Sequence, residues 1–333
     1  MEKPIIGITM GDAAGIGPEV IVKAFQNSEV QSYVRPVVIG DRRIIKNALK
    51  IAKAENMQIN PIKKVAEAKF IPNTIDIIDL ENLEPSKVKM GQLSKYCGKA
   101  AIQYLEKAIK LAMSKEIDAI ATAPINKEAI RKAGYKFQGH TEILAKRTKT
   151  KKYAMMFVSD ALWVILVTTH LPIKDIYKQI NKKRVLNAIK LAHETLFRVR
   201  KKKPKIGVAG LNPHAGEGGI FGKEEKKYIT PAIAEAKRAG INVKGPISPD
   251  GIFYLANVGM FDIVVAMYHD QGLIPLKLLS FNRSVNVTVG LPFVRTSVDH
   301  GTGFDIAGKG WANPTSLIEA IKVAAHFTRA RKK

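Results

Sequence analysis

The chain has 333 residues and a formal net charge of +25, from 54 lysines and arginines against 29 aspartates and glutamates. That length is about twice the ~150-residue soft prior for one domain. With 46% hydrophobic and 25% charged residues the chain can bury a core, which excludes a minimal binding module and a disordered chain. The positive excess attracts anions, whether nucleic acid, an acidic membrane surface or phosphorylated metabolites.

Apolar runs of strand length occur in chain order at 4–10, 36–40, 74–79, 117–123, 162–168, 205–210 and 261–267. Several are unbroken, as in strands buried on both faces. The first run leads into Gly11–Glu19, glycine-rich and opening a helix with Pro18 in its first turn. Its spacing is neither the dinucleotide G-x-G-x-x-G nor a P-loop, so a tight turn feeding a helix explains it. Residues 58–91, broken by Pro61, Pro72 and Pro85, are the weakest segment. Ser94 caps a predicted helix with an apolar stripe at Ala101, Leu105, Ala108, Ile109 and Ala112. Asn181 caps a second, striped at Val185, Ile189, Ala192, Leu196 and Val199 and ended by Pro204. Strands alternating with helices predict an α/β fold with a largely parallel sheet, and the lack of a long linker predicts lobes joined by continuous elements.

The lone cysteine, Cys97, excludes an intramolecular disulfide and any multi-cysteine zinc or iron–sulfur site. A reducing compartment follows. No signal-peptide core develops at the amino terminus and no apolar run approaches ~18 residues, so a cytoplasmic protein without membrane association is expected. The basic runs 198–205 and 329–333 each close a predicted amphipathic helix, where cations complement the helix dipole. With 7% aromatic residues and no reader motif, no nucleic-acid partner is expected.

The seven histidines divide by context. His193 and His326 lie in helical stretches as packing residues. His170, His214 and His269 each follow an apolar strand-like run, and in a parallel sheet the carboxyl ends of strands share the edge where ligands bind. Three imidazoles with an open position make a catalytic divalent-metal site. Asp250 and Asp270 are candidate supporting carboxylates or acid/base groups. Gly139-His140-Thr141-Glu142 and Asp299-His300-Gly301-Thr302-Gly303 read as close backbone approach to a ligand or as helix starts.

In their order and combination, segments 11–19, 121–127 (Ala-Thr-Ala-Pro-Ile-Asn-Lys), 139–145, 168–172, 211–219 (Leu-Asn-Pro-His-Ala-Gly-Glu-Gly-Gly), 268–277 and 285–308 are highly specific. Over essentially its whole length the sequence resembles the 4-hydroxythreonine-4-phosphate dehydrogenases, NAD-dependent enzymes of vitamin B6 synthesis. The resemblance implies metal ligands at His170, His214 and His269, and substrate contacts at His140, Thr141, Lys277, Asn286 and Arg295. It also implies an acidic active-site neighbour at Asp250 and a homodimer with the active site at the subunit interface. Ala13 departs from the family's usual proline, a change that bears on loop stiffness.

Residues 300–310 and 312–314 are similar to the cofactor loop of isocitrate and isopropylmalate dehydrogenases. This implies NAD or NADP at His300, Gly301 and Asp305, and a two-lobed fold with largely parallel sheets and a cleft between lobes. The first lobe is then discontinuous, 1–135 plus about 300–333, with most metal and substrate residues in a second lobe of about 136–299.

The implied activity is metal-assisted, NAD(P)-dependent oxidation of 4-phosphooxy-L-threonine at C3, followed by decarboxylation to 3-amino-2-oxopropyl phosphate. One divalent ion (zinc, cobalt or magnesium) assists, and Asp250 or Asp270 takes the hydroxyl proton. 4-Phospho-threonate and 4-phospho-erythronate are the alternative substrates. A phosphate acyltransferase on a related scaffold is the competing enzyme class.

Overall fold

The computed structural model describes residues 2–281 and 283–332. Lys333, the end of the second basic run, lies outside the described residues. The chain divides into two compact units, residues 1–151 with 291–333, and residues 152–290. In chain order the first five strands are β1 (Ile5–Thr9), β2 (Arg35–Gly40), β3 (Gln58–Ile62), β4 (Thr74–Asp79) and β5 (Ala119–Thr122). The interior segment contributes β6 (Ala154–Val158), β7 (Trp163–Leu166), β8 (Ile206–Ala209), β9 (Val243–Ile247), β10 (Ile263–Ala266) and β11 (Val285–Val289). β12 (Val294–Ser297) follows.

In the first unit the strand order is β3-β4-β2-β1-β5-β12, with every pair parallel. Parallel strands are buried on both faces, and Ile6, Ile8, Val37, Val38, Ile39, Ile75 and Ile77 are all fully covered. Ser94 caps the helix Lys95–Met113, its hydroxyl accepting from the Cys97 amide at 3.4 Å. The helix Thr315–Lys332 lies on β12 and β5, and Thr296 Oγ1 donates to the Ala320 carbonyl at 2.8 Å.

In the second unit the order is β11-β6-β7-β10-β8-β9. β7, β10, β8 and β9 run parallel, whereas β6 is antiparallel to both β7 and β11. Phe157, Leu162, Val164, Leu166, Ile252, Phe261, Val264, Leu273 and Leu276 pack into one cluster, each large side chain contributing about 1.5–3 kcal/mol on burial. The helix Lys182–Arg200 begins at Asn181, whose side chain accepts from the Arg184 amide at 3.0 Å.

The sequence reading placed the unit boundaries near 135 and 299, and the contacts place them at 151 and 291. The helix His140–Arg147 and strand β12 therefore fall in the first unit, where β12 pairs in parallel with β5. His140, Thr141 and Arg295 move with them. The basic run after Val199 has local partners: Arg200 pairs with Asp262 and lies over the Trp163 ring, and Asp262 Oδ2 accepts from the Lys205 amide at 2.7 Å. No helix among the described residues is long and apolar enough to cross a membrane.

Candidate functional site

Three parallel strands of the second unit, adjacent in the order β7-β10-β8, carry the three histidines just beyond their carboxyl ends. His170 follows β7, His214 follows β8 and His269 follows β10. The His170 and His269 rings lie 5.5 Å apart, centroid to centroid, tilted by 41°. His269 Nδ1 meets Asp270 Oδ1 at 2.6 Å. An imidazole–carboxylate contact of this kind can orient a histidine that binds a metal through its other ring nitrogen. Asp270 is thereby bonded to the His269 ring.

His214 sits on a strained turn. Residues 214–218 are consecutively left-handed, with φ of 50°, 52°, 82°, 41° and 64°, and three of the five are not glycine. Each such residue costs about 1–2 kcal/mol, so the surroundings must over-determine the turn. They do so through Glu225, 3% exposed, whose Oε1 accepts from the Leu211 and Asn212 amides at 2.8 Å each. Its Oε2 accepts from Asn212 Nδ2 at 3.0 Å. Gly216 closes over this carboxylate, and a Cβ there would stand 2.7 Å from Oε2.

The His214 ring faces Phe221 at 6.2 Å and is within electrostatic reach of Asp250. A hydrogen bond from the Ser248 hydroxyl, with a smaller pull from His214, holds Asp250 below the usual carboxylate range. Among the described residues no three His, Cys, Asp or Glu side chains of one chain converge as a metal ligand set. The chain thus brings His170 and His269 together, with His214 on the neighbouring strand end. Lys277 lies in the last turn of the helix His269–Ser280, its ammonium over the Phe281 ring. Asn286, on β11, has a buried Oδ1 without a hydrogen-bond partner.

In the first unit β12 carries Arg295, 2% exposed, whose Nη2 donates to Thr122 Oγ1 on β5 at 2.8 Å. Burial draws the guanidinium down to about 9, against the opposing pull of Glu142. It is still a cation at neutral pH. His140 and Thr141 open the helix His140–Arg147 with Gly139 at the cap position, and His140 Nε2 is buried without a partner. Burial, then the cations Arg295 and Lys127, hold the His140 imidazole well below its ordinary value and so neutral. A buried cation, a neutral imidazole and a helix amino terminus suit an anion. Thr122 and Lys127 were not assigned from sequence, although both fall inside the 121–127 motif.

The segment after β12 is pinned tightly within the first unit. The Ile16 amide donates to the Thr302 carbonyl at 2.9 Å. Buried Glu19 pairs with Lys23, which donates to the Gly310 and Ala312 carbonyls at 2.7 and 2.8 Å. His300 Nδ1 meets the Gly301 carbonyl at 2.9 Å and its Nε2 is buried without a partner, whereas Gly301 and Asp305 are exposed. An orphaned ring nitrogen beside an open glycine fits a polar ligand such as a dinucleotide.

The 11–19 turn contains a buried carboxylate. Gly11 has φ +72°, and a Cβ there would stand 2.2 Å from the Pro124 carbonyl. Asp12 Oδ1 accepts from the Ala14 amide at 2.9 Å, while Oδ2 has no partner. Burial raises this carboxyl from 3.8 to about 6, despite the Ala14 bond. A raised value means stability that is whole below pH 3.8 and lost as pH rises through about 6, some 3 kcal/mol at 1.36 kcal/mol per unit. Asp12→Asn is therefore expected to raise the melting temperature at pH 8 and to leave it unchanged at pH 3.5. An equal gain at both pH values would contradict this origin.

Comparison with known proteins agrees with the sequence resemblance. The family model "Pyridoxal phosphate biosynthetic protein PdxA" matches residues 32–324. A D-threonate 4-phosphate dehydrogenase of Cupriavidus necator is 49% identical over 329 residues, 98% of each chain. The crystal structure of a 4-hydroxythreonine-4-phosphate dehydrogenase from Burkholderia phymatum superposes with a TM-score of 0.86 at 47% identity, covering 98% of this chain and 99% of that one. The corresponding enzyme from Klebsiella pneumoniae gives 0.89 at 42% identity, covering 98% of each chain.

Proposed function

The chain belongs to the PdxA family of pyridoxal phosphate biosynthetic proteins, and on that premise we propose that it oxidises C3 of a four-carbon acid phosphorylated on C4, with NAD or NADP and a divalent metal ion. The observation that carries this reading is the placement of three histidines at one edge of three adjacent parallel strands, with the His170 and His269 rings in contact range.

The donor set suits zinc, cobalt or magnesium in descending order of preference for imidazole. When bound, the cation supplies Lewis acidity and the dinucleotide supplies the hydride acceptor. The chain's own residues do the rest. Asp270 fixes the His269 ring. Asp250, held ionised, is the carboxylate available to take the C3 hydroxyl proton. Arg295, His140 and Thr141 offer a phosphate-binding set on the first unit, and Lys277 and Asn286 a carboxylate-binding set on the second. His300, Gly301 and Asp305 line the dinucleotide site. Oxidation at C3 gives a 3-oxo acid, which loses carbon dioxide to leave a three-carbon ketone phosphate.

D-Threonate 4-phosphate is the substrate we place first, on the name and 49% identity of the Cupriavidus relative. 4-Hydroxythreonine 4-phosphate is the second reading, favoured by the names of the two crystal structures. A homodimer is proposed because exposed apolar side chains flank all three histidine segments of the second unit: Ile173, Ile220, Ile274 and Leu278 are 67–86% exposed.

The test is nicotinamide reduction by the purified chain with D-threonate 4-phosphate, erythronate 4-phosphate and 4-hydroxythreonine 4-phosphate in parallel, with and without chelator. We expect the first to be turned over fastest, with activity lost on chelation and restored by added metal, and light scattering to give twice the chain mass. No reduction with any of the three would sink the proposal.

A further inference from the structure

A strand end in a parallel sheet leaves peptide groups without a next rung, and each must find a partner. In the second unit these groups lie directly beneath the histidines. The β10–β8 register pairs Ile263 with Ile206, Val264 with Gly207 and Val265 with Val208. Continued, it sets Met267 level with Gly210, two residues before His269 and four before His214. At that level the ladder is completed by a side chain. Gln271, 8% exposed in the first turn of the helix His269–Ser280, accepts from the Met267 amide through Oε1 at 2.6 Å. Its Nε2 donates to the Gly210 carbonyl at 2.8 Å.

The same rung continues to the third strand. The Met267 carbonyl accepts from Thr168 Oγ1 at 2.7 Å and from the Thr168 amide at 3.2 Å, two residues before His170. On the far side the Gly210 amide donates to the Ile247 carbonyl at 2.8 Å. Thr168, Met267, Gln271 and Gly210 thus form one buried hydrogen-bond chain across β7, β10 and β8, with one histidine rising from each strand end.

We propose that Gln271 is a positioning residue for the histidine-bearing strand ends: its amide stands in for a peptide group and fixes the relative height of the His269 and His214 segments, while Thr168 does so for His170. This rests on the metal-binding reading of those histidines. A carboxamide is suited to the position because it presents one acceptor and one donor in a plane, as a peptide does. Methionine fills the same volume and offers neither, leaving the Met267 amide and the Gly210 carbonyl buried and unpaired.

The experiment is titration of the metal-stripped full-length protein with Co²⁺, followed by calorimetry and by the ligand-field absorption spectrum, for wild type, Gln271→Met, Thr168→Val and His214→Ala. Gln271→Met is expected to bind Co²⁺ about 10–100-fold more weakly with an altered spectrum, which a general loss of stability would not produce in a folded protein. Wild-type affinity and spectrum in Gln271→Met, with binding lost in His214→Ala, would overturn the brace and leave the metal reading intact. Absence of Co²⁺ binding by wild type, or unchanged binding by His214→Ala, would instead overturn the metal reading. If far-UV circular dichroism shows Gln271→Met to be unfolded, Thr168→Val decides: weakened binding with an altered spectrum supports the brace, and unchanged binding removes it.

Discussion

Replacing Glu225 by alanine is expected to lower the unfolding free energy by about 3–5 kcal/mol, because three donors from Leu211 and Asn212 lose their acceptor in a largely enclosed site. Burial pushes the Glu225 carboxyl up, but the bonds from Asn212 and Leu211 outweigh it and hold the group below its ordinary 4.5. For a depressed carboxyl the stabilisation is whole above pH 4.5 and is lost as acid drives the pH down through the folded value. Wild type should therefore lose its advantage over Glu225→Ala as pH falls below 4.5, and Glu225→Gln, which keeps an acceptor for the two amides, should fall between them. Chemical denaturation at pH 7 and pH 4 measures both effects. A loss below 1 kcal/mol at pH 7 would mean that the left-handed turn at His214 is held by something else.

Arg295→Met should separate binding from folding. The side chain is a buried cation that donates to Thr122 Oγ1, and burial holds it below its ordinary value. Burial opposes the charge, so exchanging it for an apolar side chain of similar length offsets part of the cost of the bonds it makes, and the variant should remain folded by far-UV circular dichroism. On the proposed phosphate role a charge-assisted partner worth about 2–5 kcal/mol is lost, so KM for the phosphorylated acid should rise roughly 30- to 4,000-fold. KM for the dinucleotide should stay within a few-fold. Steady-state kinetics with each substrate varied in turn checks this, and a rise confined to the dinucleotide would move Arg295 out of the phosphate site.

Sequence reading recovered β1, β2, β4, β5, β7, β8 and β10 because each is an apolar run buried on both faces. Several strands it passed over have local reasons to look otherwise. β3 and β9 contain Pro61 and Pro246 and lie at the edges of their strand orders, where a missing amide is tolerated. β12 reads Val-Arg-Thr-Ser, yet all four residues are buried, because its arginine bonds to Thr122 on β5 and its threonine bonds to a helix. β11 alternates polar and apolar residues, as suits a strand in antiparallel pairing with β6.

The site divides similarly. The three histidines were legible because strand ends of a parallel sheet share an edge. Gln271, Thr168 and Glu225 were not, because their partners are main-chain groups 61, 99 and 13–14 residues away, and nothing in composition or spacing marks such a bond. Lys127 and Thr122 had a signal in the 121–127 motif, but their placement beside His140 and Arg295 depends on β12 pairing with β5.

That pairing has a consequence for the order in which the protein can assemble on the ribosome. The second unit is one uninterrupted stretch, 152–290, whereas the first waits for a strand that begins at Val294. Until then β5 presents a bare edge, and its Thr122 lacks the arginine that bonds to it. The unit begun first is completed last, so during synthesis its unfinished sheet must stay free of non-native pairing while the unit encoded inside it closes.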